Sequence, residues 1–165
     1  MSCRKDGKES GFIMKKEEQT GKKKGLRVAV LIVVILAVVL GAADLWWNMP
    51  VSFLKNTAPA QISRIEVRDG QTGKSFVLDR QEDIAYIVEN LQQSHLRRDG
   101  ISLGYVGTWF TLDFYNTKGK RIERLTINHY NTLRKDPFFY RDNNEGLCID
   151  YLSSLEAELA GAWEE

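Results

Sequence analysis

The chain has 165 residues, 43% hydrophobic and 27% charged, a balance that excludes a wholly disordered or collagen-like polypeptide. The formal net charge of +1 conceals a division: residues 1–27 hold nine Lys/Arg against four Asp/Glu, and the remainder holds fourteen against eighteen. An acidic body argues against nucleic acid as its partner, two Cys are too few for a disulfide framework, and the two Cys and two His lack the spacing of a structural zinc site.

In chain order, residues 1–25 are rich in Lys, Glu and Gly and poor in apolar residues. This composition predicts a disordered basic tail. Val28 to Ala43 then passes sixteen residues without a charge, and extension to Trp47 makes twenty with one, Asp44. Twenty helical residues span about 30 Å, the hydrocarbon thickness of a bilayer. Residues 26–47 therefore read as a transmembrane helix, with Val28 and Leu36 in its apolar body. Trp46 and Trp47 fall where an interfacial aromatic belt would sit. Lys15, Lys16, Lys22, Lys23, Lys24 and Arg27 precede the segment, which predicts a cytoplasmic N-terminus and an outside body. Gly41-Ala42-Ala43 also offers small residues to a signal peptidase. The long charged region before the apolar core, and the return of apolar residues at Leu45-Trp46-Trp47, favour an uncleaved signal-anchor. Residues 48–60 hold two of the three prolines and read as a tether.

From Gln61 the pattern shortens. Ser63, Ile65 and Val67 alternate with Arg64, Glu66 and Arg68, as a half-exposed strand requires. Asp69 to Gly73 reads as a turn and Lys74 to Leu78 as the returning strand. Asp79 to Glu82 has the spacing of a capping box, which predicts Asp79 as the cap of a helix ending near Ser94. Ile84, Ile87, Val88 and Leu91 form its apolar face. Asp99-Gly100 and Gly104 to Gly107 bound a loop. Thr108 to Tyr115 is a strand with Phe110, Leu112 and Phe114 on one side. Asn116 to Lys120 turns the chain, and Arg121 to Asn128 returns antiparallel. Asn131–Arg134 and Phe138–Arg141 supply one or two more short strands. Asp142 to Gly146 is a turn, and a closing helix carries Ile149, Leu152, Leu155 and Leu159. The expected body, residues 61–160, is thus a two-layer α+β domain of order ββαβββα with an antiparallel sheet.

The segments ISRIEVRDGQTGKSFVLD, DIAYIVENL and FTLDFYNTKGKRIERLTI carry a resemblance to uncharacterised single-pass membrane proteins of Gram-positive bacteria. Those proteins have a basic tail, one anchor and a small extracytoplasmic α+β domain. The resemblance covers roughly residues 61–160 and implies the same plan for this chain. It brings no catalytic residue with it.

Candidate chemistry is sparse. His95 beside Ser94 lacks an orienting third group and reads as a residue at a helix C-terminus. His129 reads as a polar loop residue. Asp142 to Gly146 lacks the ligand spacing of a calcium loop, and Gly104-x-x-Gly107 follows no predicted strand and opens no helix, as a phosphate cradle would. Cys148 reads as a small buried hydrophobe, with an intermolecular disulfide as the alternative. No catalytic residue, metal ligand or cofactor is expected.

One segment does carry a surface argument. Phe138 and Phe139 are adjacent on a strand, so they point to opposite faces, and one should face outward. With Tyr130, Arg134 and Arg141 nearby, Phe139 would form an aromatic and basic contact surface. The expected function is a membrane-anchored extracytoplasmic binding module. Its partners would be the bilayer and an extracytoplasmic protein or peptide. The alternatives are a small cell-envelope enzyme or inhibitor, or a subunit of a membrane complex.

Overall fold

The computed structural model describes residues 7–143 and 146–161, with side chains for 25–143 and 146–159. Cys3, the first six residues of the basic tail, and Asn144 and Glu145 of the expected turn lie outside them. The chain divides into two units, Met1–Trp46 and Trp47–Glu165.

The first unit holds helix α1, Gly7–Asn48, which runs on past it to Asn48. Within its stretch Gly25–Asn48 an 18-residue window has a mean hydropathy of 2.9, and none of that window is buried. Val28, Leu36 and Trp46 are all exposed on it. Helical backbone extends back to Gly7, through a tract whose composition reads as disordered. Lys, Glu and Gln are good helix formers, so the same residues that cannot build a core can continue a helix.

The second unit is an α+β body with one seven-stranded sheet, every neighbouring pair antiparallel. The strands are β1 (Ile62–Asp69), β2 (Ser75–Leu78), β3 (Leu96–Ile101), β4 (Phe110–Asn116), β5 (Arg121–His129), β6 (Thr132–Lys135) and β7 (Phe138–Asp142). Helix α2 (Gln81–Gln93) follows β2, and α3 (Ile149–Gly161) closes the described chain. The spatial order is β2-β1-β4-β5-β6-β7-β3. Residues 110–142 form a meander of successive hairpins, to which β1 adds on one side and β3 on the other.

One sheet face is apolar and carries the helices. Ile65, Val67, Phe110, Leu112, Phe114, Leu125, Ile127 and Leu133 are buried there with the stripe Ile84, Ile87, Val88 and Leu91 of α2 and with Ile149, Leu152 and Leu155 of α3. The alternation in β4 and the helical spacing in α2 and α3 dictated these positions.

Several sequence expectations are corrected. The order is ββαβββββα, because the segment read as a loop after α2 contains β3, paired with β7. Ser63 is exposed, because the ladder between β1 and β4 shifts between Ile62 and Arg64; this bulge turns Ile62 inward instead. Helix α2 is capped at Arg80 without a side-chain bond, and Asp79 is exposed. His95 does not end the helix: α2 stops at Gln93, and the His95 N–H donates to Asp142 Oδ1 at 3.1 Å.

Residues 48–60 do not hang free. Val51 bridges Leu96 on the edge of β3, and Phe53 is buried with its ring edge-on to Tyr140 at 5.0 Å. Gln92 Nε2 donates to the carbonyls of Leu54 and Thr57 at 2.7 and 2.9 Å. Leu54 has a φ of 57°, a left-handed conformation that costs a non-glycine residue about 1–2 kcal/mol. The Gln92 clasp holds it there. The tether expected from the prolines is therefore part of the body.

Candidate functional site

Among the described residues the opposite sheet face carries no helix, and its side chains follow from strand alternation. The ladder registers set them in rows. One row runs Ser75, Arg68, Thr111, Thr126, Arg134, Phe139 and Gly100. A second begins Val77, Glu66, Asp113 and Arg124.

The β1–β4–β5 part of this face is a closed ion network. Asp113 is nearly buried and takes a forked pair from Arg124, Nε at 2.7 Å and Nη2 at 2.5 Å. Arg121 Nη1 approaches the same carboxylate at 3.3 Å. Glu66 accepts from the Tyr115 hydroxyl at 3.0 Å and from Arg64 Nε at 3.0 Å, and the Arg64 guanidinium lies 4.0 Å from the Tyr115 ring centroid. The hydrogen bond to Asp113 raises Arg124, and the bond to Glu66 raises the Tyr115 hydroxyl. Beside the network a groove of about 290 Å³ is lined by Glu66, Arg68, Ser75, Val77, Asp113 and Arg124. That volume is at the small end for ligand pockets. Paired carboxylates and guanidinia of this kind stiffen a sheet face; Arg64, Glu66, Asp113, Arg121 and Arg124 each spend their charge on a neighbour.

The β6–β7 part differs. Arg134 and Phe139 are register partners. Phe139 is half-buried, and the Tyr105 ring meets it edge-on at 5.1 Å. Arg134 Nη1 donates to the Tyr105 carbonyl at 2.8 Å and to the Gly107 carbonyl at 3.4 Å. Its guanidinium lies 5.7 Å from the Tyr105 ring centroid. Arg134 thus acts as a strut that holds the 102–107 loop over the open face, and its side chain is only 14% exposed.

The structure brings two of the four expected contact residues together, Arg134 and Phe139. Arg141 lies two residues along β7 and is engaged by Asp99, with Nε at 2.9 Å and Nη2 at 2.6 Å from one carboxylate oxygen. Tyr130 sits apart at the β5–β6 turn, exposed, with its ring 5.3 Å from Trp109 and 5.7 Å from His129. Phe138 points to the core side, edge-on to Trp47 at 5.8 Å and to Tyr140 at 6.5 Å. The opposite facing of Phe138 and Phe139 follows directly from the strand pleat.

Sequence reasoning passed over Tyr105 and its loop. The available signal was the run Ile101-Ser102-Leu103-Gly104-Tyr105-Val106, too apolar for an ordinary loop. Cys148 is buried and its thiol is pushed up to about 12 by burial, which leaves it protonated and unreactive at neutral pH. Among the described residues no cluster of three or more His, Cys, Asp or Glu could hold a metal ion. No protein-family model matches this chain, and neither does any curated protein or solved structure.

Proposed function

We propose that this chain is a single-pass membrane protein with a cytoplasmic N-terminus, whose outside body binds an extracytoplasmic protein or peptide. The single observation that carries the anchor is helix Gly25–Asn48, whose apolar 18-residue window has no buried residue. An all-round apolar helix is unstable in water and stable in hydrocarbon, where it satisfies its own backbone groups. The basic residues before it and their absence just after it favour the stated orientation. Carbonate washing should leave the full-length protein in the membrane fraction. A membrane-impermeant maleimide should label Cys148 in intact cells only under mildly unfolding conditions, with Cys3 dark until lysis. Labelling of Cys3 alone would reverse the orientation.

Support for the binding surface is the aromatic group Tyr105 and Phe139 on a sheet face without helices, beside the Arg141–Asp99 pair. Aromatic and Arg residues are enriched where proteins meet. Phe139→Ser should weaken capture of the partner in a pull-down from intact membranes while costing less stability than Phe138→Ser, which removes a ring from the core side. Equal losses of stability would remove Phe139 from the contact surface.

A further inference from the structure

Four exposed apolar side chains of the body lie on one short segment, and three of them are the most exposed large apolar side chains of the body among the described residues. Ile101, Leu103, Tyr105 and Val106 are 66, 71, 52 and 93% exposed. They lie on a built loop. The Tyr105 N–H closes a four-residue turn on the Ser102 carbonyl at 3.1 Å, with Gly104 at φ 79° in the third position, as a type II turn requires. Buried Ser102 fixes the base of the loop, its N–H on the Pro137 carbonyl at 2.9 Å and its hydroxyl on Asp136 Oδ1 at 2.6 Å. Arg134 holds the far side. The loop is therefore fixed with Leu103 and Val106 held out, which in water is a cost with no return.

This corner is also where the chain enters the body. Val51 lies against Leu96 at the start of β3, and the residues before it run back toward the other end of that strand. Trp47 accordingly packs on Phe138, and Phe138 is the register partner of Ile101. The first residue of the body, Trp47, and the exposed apolar loop are thus neighbours within the body.

We infer that the 101–106 loop is a second membrane contact, inserting Leu103 and Val106 into the outer-leaflet interface beside the point where the anchor emerges. The inference rests on the anchor reading above. Lipid is the occupant that this placement favours, because the anchor delivers the corner to the bilayer at no cost in encounter. Tyr105 and Trp47 have the amphipathic rings that belong at headgroup level. An apolar loop tip buries its side chains among acyl chains without exposing its backbone far into them. Docking would fix which way the open sheet face points.

The test uses the full chain with Cys3→Ser, reconstituted in vesicles of phosphatidylcholine and phosphatidylglycerol with a doxyl-labelled phosphatidylcholine. Buried Cys148 stays in place. An environment-sensitive fluorophore is attached through Val106→Cys, and in parallel through Val77→Cys on β2. Six inter-strand gaps of about 4.8 Å put β2 about 29 Å from β3. The expected result is a blue-shifted, doxyl-quenched emission at position 106 and neither at position 77. Equal signals at the two positions would overturn the inference. A fluorophore through Leu36→Cys reads the anchor separately. Quenching at 36 without quenching at 106 keeps the anchor and sinks the loop contact; quenching at 106 without 36 does the reverse. Leu103→Asp with Val106→Asp should abolish quenching of a fluorophore placed through Ile101→Cys, and unchanged quenching would refute insertion. Shielding that disappears on dilution into excess lipid would report contact between copies, and would also overturn it.

Discussion

At the residue scale, Asp83 replaces Asp79 as the determinant of where α2 begins. It lies in the first turn of the helix, where the positive end of the helix dipole favours an anion. It is buried and satisfied from two sides, by Arg80 Nε at 2.7 Å and by the Tyr151 hydroxyl of α3 at 2.6 Å. That hydrogen bond, with burial, pushes the Tyr151 hydroxyl up to about 12. Tyr151→Phe should lower stability by about 1.5–3 kcal/mol, the usual value of a hydrogen bond to a charged group. Asp79→Ala should stay within about 0.5 kcal/mol, as exposed sites do. Urea unfolding of both variants checks the pair, and the opposite ranking would return the cap to Asp79. A second residue pair sets a pH response. Burial raises the Asp69 carboxyl, but the Thr72 hydroxyl and the Gln71 and Thr72 N–H groups outweigh it, and the net direction is down. Its contribution is present above its unfolded value near 3.8 and fades as pH falls through the lower folded one. Glu156 moves the other way, raised by burial and then by the charge of Asp69. A raised carboxyl opposes folding once it ionises, so its penalty grows as pH climbs above 4.5. Glu156→Gln should therefore gain stability over the unsubstituted protein as pH rises from 4 toward neutrality. Parallel denaturation midpoints across that range would exclude the coupling.

At the element scale, legibility followed the range of the interactions. The β4–β5 hairpin, α2 and α3 announce themselves through local periodicity and through the turn at Asn116, whose side chain accepts from the Lys118 and Lys120 N–H groups. Strand β3 does not. Its sequence LRRDGI puts only Leu96 in the core, and what makes it a strand is β7, some forty residues away. The 48–60 segment misled for a related reason. Prolines suggest a linker, but a single Phe53 side chain outweighs them by filling a core site against Tyr140. Phe53→Ala should cost about 3–5 kcal/mol in thermal or urea unfolding, as buried Phe truncations do. A fragment of residues 58–165 should be less stable than one of residues 47–165 for the same reason. Equal stability of the two fragments would restore the tether. The candidate surface was legible only in part. Opposite facing of Phe138 and Phe139 is a property of any strand, whereas the Arg134–Tyr105 carbonyl bond depends on where a distant loop lands. Gly70 illustrates the same limit. It reads as a turn residue, yet a Cβ there would run into the Thr108 side chain and carbonyl across the sheet. Gly70→Ala therefore has no room.

At the scale of the whole molecule, the strand order has a kinetic consequence. Meander strands β4 to β7 pair with sequence neighbours, but β1 waits for β4 and β3 waits for β7. Loop closure must precede such distant pairing, so these are the slow steps. During synthesis β1, β2, α2 and β3 emerge first, with sheet edges that nothing made so far can cover. The partner for the open edge of β1, β4, follows next, but β7, the partner of β3, is the last strand to appear. A nascent body is thus adhesive until almost its full length is available, the stage at which incomplete chains aggregate or engage chaperones. A chain ended after Lys135 should show no cooperative unfolding although it keeps six of the seven strands, because its β3 has no place to dock. An anchor that tethers each chain in a two-dimensional layer would raise the local concentration of such edges. Release of the finished body is therefore timed by its final hairpin, and growth rate should set how long each chain remains vulnerable.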